Sequence, residues 1–132
     1  MINTTSIAVL PIGEFDTDLV KHEFDAIISA VNRLKANLTL ADPVSQEEEA
    51  RQSVRALSEK NPDLLLIIIL RGLSAETIMA AAMMSPAPCL VLPTRGRYAL
   101  PSSALAVGAL QDSMVPVELL YAPPEHPEFM RR

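Results

Sequence analysis

Apolar and polar residues follow two kinds of pattern along this chain, and together they predict strands that alternate with helices. The most apolar stretch is DLLLIIIL at residues 63–70, in which no polar residue follows Asp63. An uninterrupted run of this length is typical of a parallel strand buried on both faces, and it is too short for a well-defined helix. We therefore expect this stretch to form the central strand of an α/β sheet.

Four shorter apolar runs predict the remaining strands. Pro116 and Glu118 in the last run indicate a strand at the edge of the sheet, because proline cannot donate a ladder hydrogen bond. The second run is brief and contains Thr39, which also suits an edge position. The predicted strands, in chain order, are residues 6–12, 38–41, 63–70, 88–92 and 115–121.

The first two helices are predicted by apolar residues at helical spacing. Asp16 or Thr17 can cap the first helix, which is the most clearly amphipathic segment of the chain. The second helix opens on SQEE at residues 45–48, which has the pattern of a capping box, and we expect it to continue through Glu59. The apolar residues of the first helix are Val20, Phe24, Ile27, Ile28, Val31 and Leu34.

The third and fourth helices carry almost no charge. The third is expected over residues 75–84 with Ser74 as its N-cap, and it is apolar on nearly every side. Such a helix is either deeply buried or covered by a partner. Pro101 suits the first turn of the fourth helix, which we expect over residues 102–112.

Five strands alternating with four helices predict a parallel sheet with helices on both faces. Placing the weak second and fifth strands at the edges gives the flavodoxin-like, Rossmann-like order 2-1-3-4-5 in a three-layer αβα sandwich. We expect a single α/β domain over residues 1–122 and a proline-rich tail or linker over residues 123–132.

Composition narrows the classes of partner. The chain has 132 residues, of which 49% are apolar and 20% charged, and these values are typical of a single folded domain. Its net charge of -5 comes without a basic stripe, so we expect no nucleic-acid partner and no attraction to anionic membranes. The single Cys89 cannot form an intramolecular disulfide, and the first residues lack a signal-peptide pattern. We therefore expect a cytoplasmic location.

Loops at the carboxyl ends of the strands are the candidate ligand site, because α/β folds of this order bind ligands where the strand order reverses. Arg71, Gly72 and Ser74 combine a cation, a flexible backbone and a helix N-terminus, which suits a phosphate, a carboxylate or a sugar hydroxyl. An ordinary turn with an N-cap explains the same residues. The candidate residues are Gly13, Glu14, Asp16, Arg71, Gly72, Ser74, Thr94, Arg95 and Arg97.

The remaining candidates have two interpretations each. Arg95 and Arg97 form a second basic loop on the same edge, although arginines also serve as surface ion-pair residues or interface anchors. Glu14 and Asp16 suit acid/base chemistry or metal binding, although acidic residues are common at helix starts for electrostatic reasons alone.

Recognisable catalytic motifs are absent from the sequence. Gly13 is not followed by the second glycine of a dinucleotide fingerprint, and no Walker sequence occurs. His22 and His126 lack the spacing of metal ligands, and Cys89 lies in an apolar strand. Ser102 and Ser103 lack the glycines of a nucleophile elbow, and a helix cap explains them better. We therefore predict no catalytic residue and no metal ligand.

The order of features resembles the N-terminal domain of the L-fucose isomerase-like (fucose/arabinose isomerase) family over about residues 6–121. This resemblance implies aldose–ketose isomerisation at a divalent metal, usually Mn²⁺, in an oligomer of multidomain subunits whose metal ligands lie in later domains. The likeness is carried by IAVLPIG at residues 7–13 with Phe15 and Asp16, NPDLL at 61–65, LSA at 73–75, PCLVLP at 88–93 and LPSSALAVGAL at 100–110.

The resemblance implies a limited role for this chain. A first domain of that family contributes subunit contacts and part of the wall of a sugar pocket, so we expect a chain that is inactive alone and needs no cofactor of its own. It would form a homo-oligomer through its third helix or act with separate catalytic domains. The alternative is a flavodoxin-like regulatory module that binds a small anion through Arg71, Ser74, Arg95 and Arg97. A small hydrolase using Glu14, Asp16 and the serines is a third possibility.

Overall fold

The computed structural model describes residues 5–15, 17–34, 36–71, 75–96 and 99–120, in which strands and helices alternate as predicted. None of the described helices combines the length and the apolar character needed to cross a membrane. The strands are β1 (Ser6–Ile12), β2 (Asn37–Leu40), β3 (Leu64–Ile69), β4 (Cys89–Pro93) and β5 (Val117–Leu119), and the helices are α1 (Asp18–Arg33), α2 (Glu47–Ser58), α3 (Ala75–Met84) and α4 (Ala99–Asp112).

The five strands form one parallel sheet in the order β2-β1-β3-β4-β5. This confirms the predicted fold class and strand order. The central strand is β3, in which Leu66 lies opposite Val9 of β1 and Leu90 of β4. β2 and β5 lie at the two edges, where their weak strand patterns predicted them.

Side chains of β3 alternate between two hydrophobic cores. Leu65, Ile67 and Ile69 pack in a core with residues of α2, α3 and α4. Leu66 and Ile68 pack on the opposite face with residues of α1. Within the described ranges, three helices therefore cover one face of the sheet and α1 covers the other, which gives the three-layer sandwich.

Two prolines lie in strands that have neighbours on both sides, where proline is normally excluded. The carbonyl of Pro11 accepts a hydrogen bond from the Val44 amide, so the nitrogen of Pro11 also faces the side of β2. β2 pairs with β1 only as far as Val9, so the missing N–H deprives no β2 residue of a partner. The nitrogen of Pro93 likewise faces the side of β5. Because the pairing of β4 with β5 ends near Val91, no β5 residue loses a hydrogen-bond partner.

The ends of several elements refine the predictions. Thr17 caps α1, since its hydroxyl oxygen accepts a hydrogen bond from the Val20 amide at 3.2 Å, whereas Asp16 lies outside the described residues. The capping box of α2 was predicted one residue too early. Its acidic member is Glu49, whose carboxylate reaches back to accept from the amide of Gln46 at 3.0 Å.

The predicted fifth strand was too long at its start, because Val115 belongs to the end of α4. The amide of Val115 donates to the Leu110 carbonyl, and the amide of Met114 donates to the Gln111 carbonyl. These two hydrogen bonds together form a Schellman motif. Met114 occupies the left-handed position of this motif, with φ of 64°, and its side chain is 90% exposed. Glycine is the usual residue at such a position.

We expect the Met114→Gly substitution to raise the free energy of unfolding by about 1 kcal/mol, because it relieves the steric cost of the left-handed conformation. Chemical denaturation of both proteins measures the difference. Ser113→Gly is the matched control, since it adds the same flexibility one residue earlier, and it should not stabilise the fold. Equal effects of the two substitutions would contradict this account of Met114.

Candidate functional site

Main-chain hydrogen bonds bring the loops after β1, β3 and β4 together at the carboxyl edge of the sheet. The amide of Leu70 donates to the Ile12 carbonyl at 2.8 Å, and the amide of Thr94 donates to the Ile69 carbonyl at 3.0 Å. The sheet pairing thus continues one residue beyond β3 on the side of β1, and one residue beyond β4 on the side of β3. The loop residues that follow are consequently held next to one another.

Two glycines enclose the turn that follows β3. Gly13 has φ of 99°, and a β-carbon on it would lie 2.9 Å from both the amide nitrogen and the carbonyl oxygen of Arg71. On the other side, a β-carbon on Gly96 would overlap the carbonyl oxygen of Leu70. Both positions therefore require glycine, and the backbone at Leu70 and Arg71 is clamped between them. We call this arrangement the glycine clamp.

Thr94 fixes the third loop from inside. Its side chain is buried, with 2% exposure, and its hydroxyl donates to the Ile69 carbonyl at 2.8 Å. The same oxygen accepts a hydrogen bond from the Gly96 amide at 3.1 Å. Thr94 therefore orders the loop that carries Arg95 and Gly96, and its hydroxyl is engaged with the main chain.

Arg95 forms an ion pair with Glu23 of α1. The guanidinium Nε lies 3.5 Å from Glu23 Oε1, and the Arg95 amide donates to the same oxygen at 3.2 Å. The side chain of Glu23 is 14% exposed and that of Arg95 is 56% exposed. One carboxylate thus holds both the backbone and the side chain of Arg95. Glu23 was not among the predicted residues, because it lies 72 positions from Arg95 and no local pattern connects them.

An aromatic ring borders the same edge. Phe15, which follows the exposed Glu14, is 38% exposed and packs edge-to-face on Phe24 of α1 with ring centroids 5.4 Å apart. The ammonium group of Lys21 lies 5.1 Å from the centroid of Phe15. These contacts fix the ring although much of it faces solvent. Phe15 was not among the predicted ligand-binding residues. Its position in the loop after the first strand could have indicated that it lies at this edge.

The other predicted site residues divide into two groups. Arg71 is partly exposed and lies against Gly13. Asp16, Gly72, Ser74 and Arg97 lie outside the described residues. The structure therefore brings Gly13, Arg71, Thr94 and Arg95 to one edge, with the exposed Glu14 beside them. Their role in ligand binding stays a prediction.

A divalent metal does not fit the described part of this edge. Among the described residues, no three His, Cys, Asp or Glu side chains lie close enough to hold a metal ion. Protein sites for divalent cations need several oxygen or nitrogen ligands that converge on one point. These residues therefore do not match the Mn²⁺ implied by the family resemblance, and they support no catalytic step through a metal.

Three residues considered for chemistry lie away from this edge or inside the core. His22 is exposed on α1. Ser103 is fully buried within α4, and its hydroxyl donates to the Ala99 carbonyl at 2.7 Å, so the predicted role in a helix cap is wrong for this residue. Cys89 is buried in β4, where burial raises the pKa of its thiol while a hydrogen bond with the Ser85 side chain opposes the shift.

A cleft of about 900 Å³ lies at the opposite edge of the sheet, near the amino ends of β4 and β5. Most of its lining is apolar, and the amide of Gln111 is bound to the Val117 carbonyl at 3.0 Å. It is remote from the loops that the fold places at the strand-order reversal. We therefore locate the candidate site at the carboxyl edge.

The Gly96→Ala substitution tests the glycine clamp. We expect it to lower the free energy of unfolding by about 3 kcal/mol, because the added methyl group must displace the Leu70 carbonyl from a packed position. Thermal and urea denaturation measure the loss. Glu14→Ala is the control on the same edge, and it should change stability by less than about 0.5 kcal/mol since this side chain is exposed. A Gly96→Ala protein as stable as the parent would contradict the clamp.

The buried thiol of Cys89 should make folding stability depend on pH. In the unfolded chain the thiol ionises near pH 8.5, whereas its raised pKa in the folded protein moves ionisation to higher pH, so stability falls as the pH increases above about 8.5. We expect the parent to lose more stability than Cys89→Ala between pH 8 and pH 9.5. Urea denaturation of both proteins at the two pH values measures this difference. Parallel losses would show that Cys89 makes no such contribution.

Comparison with known proteins leaves the family of this chain open. No family model matches the sequence, and no curated protein matches it either. Function must therefore be inferred from the fold and from the side chains at the carboxyl edge.

Proposed function

We propose that this chain is the N-terminal α/β domain of a sugar isomerase-like protein of the fucose/arabinose isomerase type. In this role it contributes subunit contacts and one wall of a sugar pocket, and it is not catalytic alone. The convergence of the loops after β1, β3 and β4 around the glycine clamp carries the proposal. In a sheet of this strand order, these are the loops from which a ligand site is built.

The side chains at this edge suit a neutral polyhydroxy ligand. Phe15 provides a flat apolar surface on which the C–H face of a sugar ring can lie. Arg95 and Glu14 place a donor and an acceptor for hydroxyl groups on the neighbouring loops. Binding sites for small molecules commonly combine an aromatic surface with a few polar groups in this way.

A small anion fits this edge less well than a sugar. Glu23 Oε1 lies 3.5 Å from the guanidinium of Arg95, so an anion that approached Arg95 would also meet a carboxylate. The Glu23 carboxylate would repel an anion bound at Arg95, whereas sugar hydroxyl groups are neutral and can both donate and accept. The ion pair therefore favours the sugar-wall function over the anion-binding alternative.

In the proposed role, catalysis depends on groups outside this chain. Isomerisation requires groups that move protons between neighbouring carbon atoms, and a metal would need converging ligands. The hydroxyl of Thr94 is bonded to the main chain, and the described residues contain no cluster able to hold a metal. Another domain or subunit would supply these groups.

Amide NMR spectra recorded during titration with L-fucose and L-arabinose test the sugar wall. We expect weak binding with Kd near 10 mM, which corresponds to about 3 kcal/mol, because one wall offers few contacts. The amides of Gly13, Phe15, Arg71 and Gly96 should shift. Phe15→Ala should reduce the shifts at least threefold, whereas His22→Ala on the exposed side of α1 should leave them unchanged. Absence of shifts at this edge would contradict the proposal.

Two further measurements separate this proposal from its alternatives. Isomerase assays of this chain with added Mn²⁺ and several aldoses should show no turnover, and robust turnover would contradict the non-catalytic role. Sugar phosphates should raise the melting temperature no more than the parent sugars do. A large stabilisation by a phosphorylated ligand that is lost in Arg95→Ala would instead support the anion-binding module.

A further inference from the structure

The outer surface of α4 lacks the charged residues that normally face solvent on a helix of a soluble domain. Leu105 is 68% exposed and Leu100 is 38% exposed. Ala104, just before Leu105, and Gly108, three residues after it, are exposed as well. Asp112, the last residue of the helix, is its only charged residue. By contrast, α2 begins with three consecutive glutamates.

Gly108 has no role inside the monomer that would require glycine. A β-carbon at this position would meet no atom within 4 Å, whereas both Gly13 and Gly96 are in close contact with backbone. A glycine inside a helix destabilises it by about 1 kcal/mol relative to alanine. The absence of a side chain at Gly108 therefore points to close approach by something outside the chain.

A shallow groove runs beside this glycine. It has a volume of about 430 Å³ and lies between α4 and β5, where Ala104, Val107, Gly108 and Leu119 line it together with Gln111 and Glu118. Leu105 projects from the same turn of α4 and is mostly exposed. A protruding leucine and a groove thus lie side by side on one helix, which is the arrangement that a two-fold contact between identical surfaces requires.

The neighbouring helix explains why α4 rather than α3 provides this surface. α3 is packed between α2 and α4, and most of its apolar residues are buried. Its apolar character is therefore largely satisfied within the chain, and its predicted role as the subunit interface stays a prediction. Met83, which is 67% exposed, is the most exposed large apolar residue of α3.

Charge favours a second copy of this chain as the occupant. Each copy carries a net charge of -5, so two copies repel each other most weakly where their surfaces are uncharged. From Leu100 to Gly108, α4 offers no charged group to a strongly acidic or basic partner. Leu105 is instead complementary to the apolar part of the groove on another copy, which Ala104, Val107 and Leu119 line, while Glu118 is the charged residue of that lining.

We propose that two copies of this chain associate through α4 about a two-fold axis near Ala104 and Gly108, with Leu105 of each copy seated in the groove of the other. The proposal rests on the subunit-contact part of the proposed function and is independent of sugar binding. The experiments below measure only the association of two copies. A negative result would therefore reject the dimer and leave the sugar titration to test sugar binding.

The size of the surface predicts a weak dimer. α4 has 14 residues and is therefore about 21 Å long. With the adjoining rims of α3 and β5, its width approaches about 20 Å, since packed helices lie about 10 Å apart. An outline of this size covers about 400 Å², which is below the roughly 600 Å² per partner at the lower limit of specific interfaces. Association should therefore depend on concentration.

Sedimentation velocity of the full chain over a range of concentrations tests the dimer. We expect the dimer fraction to rise between about 10 µM and 1 mM. Leu105→Glu should weaken association at least 100-fold, because it places a charge in the apolar contact. Leu34→Glu is the matched control, since Leu34 is 45% exposed on the other side of the sheet, and it should leave association unchanged. A parent protein that stays monomeric, or equal effects of the two substitutions, would overturn the proposal.

Gly108→Ala distinguishes an interface from a merely structural role. Alanine has the higher helix propensity, so the melting temperature of the dilute monomer should rise by a few degrees while dimerisation weakens at least tenfold. A cysteine introduced by Ala104→Cys should also link two copies under oxidising conditions, whereas Leu34→Cys should not. The native Cys89 is buried and does not compete. Unchanged association of Gly108→Ala, or no covalent dimer of Ala104→Cys, would contradict the two-fold contact.

Discussion

Burial of β3 on both faces is the constraint on which the other layers depend. Six consecutive apolar side chains, residues 65–70, are at most 4% exposed and alternate between the two cores. Burial of one such side chain contributes about 2 kcal/mol, so the run contributes about as much as the net stability of a typical domain. The chain can realise this contribution only if helices cover both faces of the sheet, which the right-handed crossovers of a parallel sheet provide.

The central position of β3 also determines which loops can meet. Its end is flanked by the ends of β1 and β4, and the hydrogen bonds of Leu70 and Thr94 extend the pairing beyond the strands. The position of the candidate site therefore follows from the strand order. Its loops approach one another most closely at the glycine clamp, where Gly13 and Gly96 contact the backbone of Arg71 and Leu70. The same order leaves α4 at the outside of the three-helix layer, where its uncharged surface faces solvent.

Patterns within short segments predicted much of this structure. The bounds of β1 and α3 and the order of the strands follow from local apolar runs, caps and edge signals, because these features depend on neighbouring residues. The ion pair between Glu23 and Arg95 could not be predicted, since it joins side chains from distant segments whose alignment depends on how α1 lies on the sheet. Gly96 lies in the predicted basic loop, but its contact with the Leu70 carbonyl follows only from the packing of two loops.

The glycine clamp separates the scaffold of the edge from its recognition chemistry. Main-chain atoms and hydrogen atoms of glycine make the contacts that hold the turn after β3. Exposed side chains such as Glu14 and Phe15 take no part in those contacts. Substitution of an exposed side chain such as Glu14 should therefore leave the glycine contacts in place. Side chains at this edge could diverge among related chains while the two glycines stay constant, so the edge can change its surface chemistry on an unchanged backbone.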